Sequence, residues 1–480
     1  MSVAGAVIRR NTQGARPETA TAREGVRGRI VLCTFSSIYA SILLAAGAAN
    51  YLLYLAPRYD LGNMVQTVWS TSHGHFMHMS GWSGGDVSRL GFHLDPFLAL
   101  LVPLWWIWAN PVVLIAAQAL ALASGVFPVY WLARKHVADS RLAVAFGIAY
   151  LLYPATQFNT FTPIGIHAVS FATPLILYAV WFLDEDRLIL FALFGLLAAT
   201  TKEEIAAAVG GLGIWYAVRR GRKRTGLLIF AAGYGISLAN ILFVIPHFAP
   251  NGQLSFTGRY ADVGGTPGGM LSTAVHDPVA FVHQVTTLHK LAFLLLLFAP
   301  FIGLWLFEPI MLIGALPDLA VNLLSAKPAQ TTVFYQYTAG IIPFVVAASV
   351  LGAARLRRGR RAPTLLLVAA SCFALWSPLD YSFVSLHGRS SGETAAARAA
   401  LRLIPPNVPV SASQTLGAYV STRRSVALFP YVGKASWVIV GKKVKEDPPT
   451  FRRKVRQLRT STAWQTVFDS AGVTVFERRS

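Results

Sequence analysis

The chain has 480 residues, of which 54% are hydrophobic and only 13% charged, and its 42 Lys plus Arg against 21 Asp plus Glu give a formal net charge of +21. Soluble domains carry about 25% charged residues, so this composition excludes an ordinary soluble globular protein and points to one that spans a membrane. Two cysteines, Cys33 and Cys372, each inside an apolar run, exclude a disulfide or thiolate-metal framework and read as small buried hydrophobes.

Residues 1–30 are polar and carry six arginines, which reads as a disordered, basic cytoplasmic tail; a cleaved signal peptide ending near "AAGAAN" is the rival. The run "IVLCTFSSIYASILLAAGAANYLLYLA" that follows is long enough to cross a bilayer as a helix. Lys and Arg gather in cytoplasmic loops, and here they cluster at 1–30, 134–141, 219–224 and 355–361. With all four clusters on one side, crossings near 31–55, 111–133, 141–157, 167–183, 188–201, 203–218, 226–246, 290–306, 309–325, 339–354 and 363–379 alternate without conflict. The prediction is an all-α polytopic domain over 31–379 with about eleven crossings, its amino terminus cytoplasmic. The Pro- and Trp-rich "LDPFLALLVPLWWIWAN" (94–110) must then be a juxtamembrane or re-entrant helix on the outer side. A second such helix begins at Leu61, where Leu61, Met64, Val65, Val68 and Trp69 have helical spacing.

This topology gathers ionisable groups at the outer rim, where charges at membrane depth tend to mark a pathway or a reactive site. Asp60 follows the first span directly; it can serve as a general base or simply cap the next helix. In "GFHLDPF", His93 and Asp95 can hydrogen-bond a phosphate, share a proton or bind a divalent cation, Asp95 being the possible metal ligand. His73, His75 and His78 could add ligands but read more simply as interfacial residues. In "TTKEEIA", Lys202 can hold a phosphate, and Glu203 and Glu204 can fix it, meet an acceptor hydroxyl or ligate a metal. The bland alternative is a Lys–Glu pair closing a helix turn. His167 and His247 lie at outer helix ends; Asp318 and Asn322, four apart, share one helix face. Tyr335 and Tyr337 would anchor at the interface or stack on sugars. The glycine-rich "GGTPGGM" lacks the context of a nucleotide-binding motif and reads as a flexible loop.

From about residue 380 the pattern changes. "PVSAS", "SVALFP", "SWVIVG" and "VTVFERR" read as strands and 392–404 and 449–459 as helices, hence a small extracytoplasmic α/β domain over 380–480. It carries 16 basic against 6 acidic residues, which suits an anionic envelope polymer or lipid headgroups and, outside the cell, not nucleic acid.

The ordered strings "YDLGNMVQTVW", "FHLDPFLALLVPLW", "TKEEIA" and "LPDLAVNLLS" resemble the bacterial predicted membrane proteins known as domain of unknown function 2079, over most of the chain from about residue 50. That family is in turn distantly similar to the GT-C superfamily of membrane glycosyltransferases. The resemblance implies a GT-C-like fold in a bacterial plasma membrane, with Asp60 as the acidic catalytic residue and helices at 61–72 and 94–108 after it. It also implies a polyprenyl-phosphate sugar donor and a cell-envelope glycan or lipid acceptor on the outer face. His93, Asp95, Lys202, Glu203 and Glu204 match motifs whose roles the resemblance does not assign, and "IGIHAVS" keeps His167 without a carboxylate shortly after it. A transporter or lipid flippase, and a non-catalytic envelope assembly protein, are the alternatives.

Overall fold

The computed structural model describes residues 17–137, 139–161, 165–356, 361–375, 390–441 and 449–479. Pro17 opens a helix that runs to Leu52, so the stretch expected as a disordered tail is helical from Pro17 onward; Pro suits the first turn, and the Ala, Glu and Arg that follow are good helix formers. By length and composition, three helices among the described residues can cross a membrane, Gly25–Leu52, Pro111–His136 and Lys223–Phe248. A fourth arises if Pro278–Val285 and Leu288–Phe301, bent by 51°, count as one span. The other expected crossings fall on shorter apolar helices, Ser140–Leu152, Ala168–Asp184, Leu188–Ala199, Ile205–Arg219, Pro309–Leu324, Ile342–Ala353 and Ala362–Ala374.

The helix Ile342–Ala353 is buried along its whole length and forms the central column of the core. Ile205–Arg219 packs on Lys223–Ala239 with backbones nearly in contact: a Cβ on Gly213 would lie 2.2 Å from the Gly226 carbonyl. Such small-residue seams draw helices together where apolar surface gains nothing from leaving lipid. Large apolar side chains such as Ile189, Leu228 and Leu288 are exposed on the outside. Cys33 and Cys372 are exposed too, against the expectation of burial. Their apolar neighbours reflect a lipid-facing helix surface, which has the same composition as a core.

The bundle has two chemically distinct ends. At one, the buried Glu308 accepts from Trp215 Nε1 at 3.1 Å and Arg219 Nε at 2.8 Å and pairs with Arg355. Nearby loops add Lys135 and His136 on Asp184 (2.7 and 2.8 Å) and Arg220 on Asp186 (2.9 Å). Three of the basic loops read from the sequence therefore end in ion pairs. At the far end of Ile205–Arg219, about 22 Å away by helical rise, lies Lys202.

Strands β1 (His78–Ser80) and β2 (Asp86–Ser88) form an antiparallel hairpin in a stretch expected as interfacial. The carboxyl-terminal domain has a five-stranded sheet, β3 (Val410–Ala412), β4 (Val426–Leu428), β5 (Trp437–Val440), β6 (Trp464–Ser470) and β7 (Val473–Arg478), in the order β4-β3-β5-β7-β6. β3 is parallel to β4 and β5, and β7 is antiparallel to β5 and β6. Alternation along β5 sends Ile439 to the face covered by the helix Ser391–Leu403 and Val438 and Val440 to the face covered by Pro449–Thr460. The expected domain boundary at residue 380 lies outside the described residues.

Candidate functional site

Asp60 sits in a single wide turn, Arg58–Gly62, that leads into the helix Asn63–Ser72. Wide turns of this kind recur at functional sites. Asp60 does not cap the helix, whose first turn receives no side-chain cap. Its Oδ1 instead lies 3.3 Å from His167 Nε2, and the side chain is 31% exposed. His167 is presented by a bracket: Gln118 Oε1 accepts from the His167 backbone N–H at 2.7 Å, and Gln118 Nε2 donates to the Gly165 carbonyl at 3.2 Å. Gly165 has φ +91°, and a Cβ there would stand 2.8 Å from Leu61 Cβ, so only glycine lets this segment approach the Asp60 turn.

His93 and Asp95, two apart in sequence, have separate partners. Both oxygens of Asp95 face Arg89, with Nη2 at 2.6 Å and Nε at 3.1 Å, and both residues are buried. Burial works to lower the Arg89 pKa, yet the Asp95 carboxylate overrides it and holds the guanidinium above its ordinary range. His93 Nδ1 lies 3.0 Å from Glu203 Oε1, and Glu203 Oε2 accepts from the Leu94 backbone N–H at 3.1 Å. Burial would raise the Glu203 carboxyl; His93 and then Lys202 reverse this and hold it below its usual value.

Lys202 pairs with Glu204. Burial again opposes the charged form, but Glu204, Glu203 and Asp318 together keep the ammonium well above its ordinary pKa. Asp318 is buried against Gly340, and Asn322 Nδ2 donates to the Tyr337 carbonyl at 2.8 Å. The helix Leu316–Leu324 thus carries its two polar residues on one buried face, as their spacing predicts. They hold the segment that brings Tyr337 to the site.

These elements enclose a cavity of about 550 Å³. Of the expected site residues, Asp60, His93, Asp95, His167 and Lys202 line it; Glu203, Glu204, Asp318 and Asn322 stand behind the lining. Arg58, Arg89, Arg259 and Lys327 line it as well, and none of the four was singled out from the sequence. Among the described residues, buried Arg58 has only neutral partners in hydrogen-bond reach, Asn63, Gln66 at 2.8 Å and the Ser80 carbonyl at 3.4 Å, and its burial lowers its pKa to about 10. The adjacency of Arg58 to Asp60 was the available signal; nothing in the sequence marks Arg259 or Lys327. With Asp95 neutralised by Arg89, the lining holds a surplus of cations around one half-exposed carboxylate, Asp60. Such a lining can receive an anion beside a proton acceptor.

The far wall comes from the carboxyl-terminal domain, through Gln414, Val426 and Leu428. Arg58 N–H donates to the Gln414 carbonyl (2.8 Å), Leu428 N–H to the Trp82 carbonyl (2.8 Å) and Gln66 Nε2 to the Arg423 carbonyl (2.8 Å). His73, His75 and His78 are not among the lining residues; His78 pairs with Asp86 at 2.9 Å.

A divalent cation does not fit the donors as they stand. Asp95, the expected ligand, spends both oxygens on Arg89, and no group of three or more His, Cys, Asp or Glu is placed to hold a metal among the described residues.

The architecture is similar to that of ArnT from Cupriavidus metallidurans bound to undecaprenyl phosphate: TM-score 0.56 at 12% identity, over 92% of this chain and 97% of that one. The apo state of the same protein gives 0.53 at 13% identity, over 92% and 98%. An Archaeoglobus fulgidus oligosaccharyltransferase gives 0.46 at 11%, over 84% and 69%. At these identities the likeness to ArnT is one of fold, a helical membrane body with a small β-sheet domain at the carboxyl end. No curated protein sequence matches the chain. The match that covers its motifs runs over residues 50–475 and includes the Asp60 turn, the Arg89–Asp95 loop, Lys202 and the sheet behind them: the chain belongs to the family described as Predicted membrane protein (DUF2079).

Proposed function

We propose that this protein is a GT-C-type membrane glycosyltransferase that moves a sugar from a polyprenyl-phosphate donor to a cell-envelope acceptor on the outer face of the membrane. The observation that carries this is the cavity itself, in which Asp60 is the one half-exposed carboxylate among Arg58, Arg89, Lys202, Arg259 and Lys327. The likeness of fold to ArnT, a protein seen with undecaprenyl phosphate, supports a lipid-linked phosphate as the anion.

Asp60 accepts the proton of the acceptor hydroxyl as that oxygen attacks the anomeric carbon. The new glycosidic C–O bond forms as the bond from the anomeric carbon to the phosphate oxygen breaks, and its electron pair leaves with the phosphate. Lys202, Arg259 and Lys327 stabilise the charge that develops there, where removal from water makes preorganised cations most effective. Glu203 and Glu204 act at one remove, orienting His93 and holding Lys202. Glu204 ties Lys202 back when no phosphate is bound, so the ammonium exchanges one anion for another.

The topology that goes with this reading puts the amino terminus and the ion-paired loops around Glu308 in the cytoplasm. The eleven crossings lie over 31–379, and the α/β domain from 380 onward lies outside. The bundle's two ends support it, with paired basic loops at one and the cavity at the other. The test is to incubate the purified protein with labelled polyprenyl-phosphate sugars and envelope lipids. Label should transfer, and Asp60→Asn should lower the rate by about 10² to 10⁴, the usual worth of a general base, while leaving the protein folded. An Asp60→Asn variant with full activity rejects Asp60 as base. Flux of an unaltered lipid instead of transfer rejects the enzyme.

A further inference from the structure

One part of the cavity wall is neither cationic nor acidic. Tyr59, Trp82 and Gln414 line it, from the turn before Asn63–Ser72, the tip of the β1–β2 hairpin and the loop after β3. The Trp82 indole is 57% exposed, and the Tyr59 ring leans on it with centroids 4.9 Å apart. The backbone beneath is fixed by the Leu428 N–H donating to the Trp82 carbonyl, so the indole is displayed by a held strand edge. Tyr59 Oη and Gln414 Oε1 lack a hydrogen-bond partner among the described residues and are shielded from solvent, so each side chain must turn toward the cavity to meet a ligand.

Buried polar atoms without partners are rare and call for an explanation, and here two of them belong to residues of one wall, beside an uncovered aromatic face. The orphaned amide oxygen only accepts and so offers a phosphate nothing, and a polyprenyl tail has no use for a phenol and an amide. A sugar ring uses all three. Its C–H face packs on the electron-rich face of the indole, while its hydroxyls donate to the amide oxygen and exchange hydrogen bonds with the phenol. Tyr59 directly precedes Asp60, and both line the cavity, so a ring seated on this wall shares the cavity with the carboxylate.

We propose that Tyr59, Trp82 and Gln414 form a carbohydrate subsite that seats a pyranose ring next to Asp60. The inference deepens the transferase reading and rests on it for the ring's role. That ring belongs either to the acceptor glycan or to the donor's sugar, and the two sources are separable. The full chain, purified in detergent, is probed on an array of neutral and acidic oligosaccharides. In parallel, native mass spectrometry compares polyprenyl-phosphate sugars with bare polyprenyl phosphate. Sugar binding should fall tenfold or more in Trp82→Ala and in Gln414→Leu and recover in Trp82→Phe. A loss confined to the array assigns the subsite to the acceptor, and a loss confined to the sugar-bearing lipid assigns it to the donor. If no sugar-bearing ligand distinguishes Trp82→Ala from the unaltered protein, the subsite is overturned, and Trp82 is then an interfacial anchor. Bare polyprenyl phosphate reports separately on the cations: its binding without any sugar preference removes the subsite alone, and its failure to bind removes the transferase reading as well.

Discussion

Replacing Asp95 by Asn tests whether that carboxylate is structural or a ligand. It is 3% exposed and meets a guanidinium that is 6% exposed, through contacts of 2.6 and 3.1 Å. Removing one member of a buried pair leaves the other charge uncompensated and costs about 3–5 kcal/mol. The lower end applies here, because Asn keeps one hydrogen bond and the Glu203 and Asp60 carboxylates also act on Arg89. At about 2 cal/mol/K of unfolding entropy per residue, 480 residues give about 1 kcal/mol/K, so a loss of 3 kcal/mol lowers the midpoint by about 3 °C. The assay is thermal unfolding in one detergent for the unaltered protein, Asp95→Asn, Arg89→Met and the double variant Arg89→Met/Asp95→Leu. Each single change should lower the midpoint, and the double should recover most of the loss, since an apolar pair of similar volume replaces a buried ion pair at little cost. An Asp95→Asn midpoint equal to the original, together with a new loss of divalent-cation dependence, would refute the reasoning and restore Asp95 as a metal ligand.

Glu203 makes stability depend on pH. Its folded-state pKa lies below the ordinary 4.5 because His93 and Lys202 outweigh burial. Its contribution is therefore complete above about pH 4.5 and is lost as the pH falls through the folded value. Melting midpoints should drop on the acid side in the unaltered protein and stay flatter in Glu203→Gln; parallel curves would remove Glu203 as the cause. Gly165→Ala forces a side chain into a left-handed conformation, at about 1–2 kcal/mol, and drives a Cβ against Leu61. Both the melting midpoint and the transfer rate should fall, and an unchanged rate would mean that Asp60 does not depend on that bracket.

Hydropathy and charge found the apolar helices because a bilayer imposes length and composition directly on the chain. The helices at Asn63–Ser72 and Pro96–Ile107 were legible from apolar spacing and from a proline and tryptophan content that argued against a crossing. β1 and β2 were not, since three-residue strands carry too little alternation to stand out among glycines and histidines. β6, which reads Trp-Gln-Thr-Val-Phe-Asp-Ser, was missed for the converse reason: it is an edge strand, mostly open on one side, with no clean apolar face. At the site, sequence placed Asp60, His93, His167 and Lys202 at one rim, and the structure brings all four to one cavity. Spacing could show that Asp318 and Asn322 share a face, but not whether that face meets substrate or protein. Arg89 was overlooked because its partner lies six residues on, across a loop whose course is set by Glu203 gripping the Leu94 backbone.

The cavity wall joins parts of the chain made far apart in time: the hairpin at 78–88 and strand β4 at 426–428, some 340 residues later. A growing polypeptide that has laid down every helix through Ala362–Ala374 still lacks Gln414, Val426 and Leu428, so during biosynthesis it holds an unfinished pocket. On the proposed transferase reading, transfer waits until the final domain has closed over the first loop, and chains that end before that domain, though inserted, should be inert.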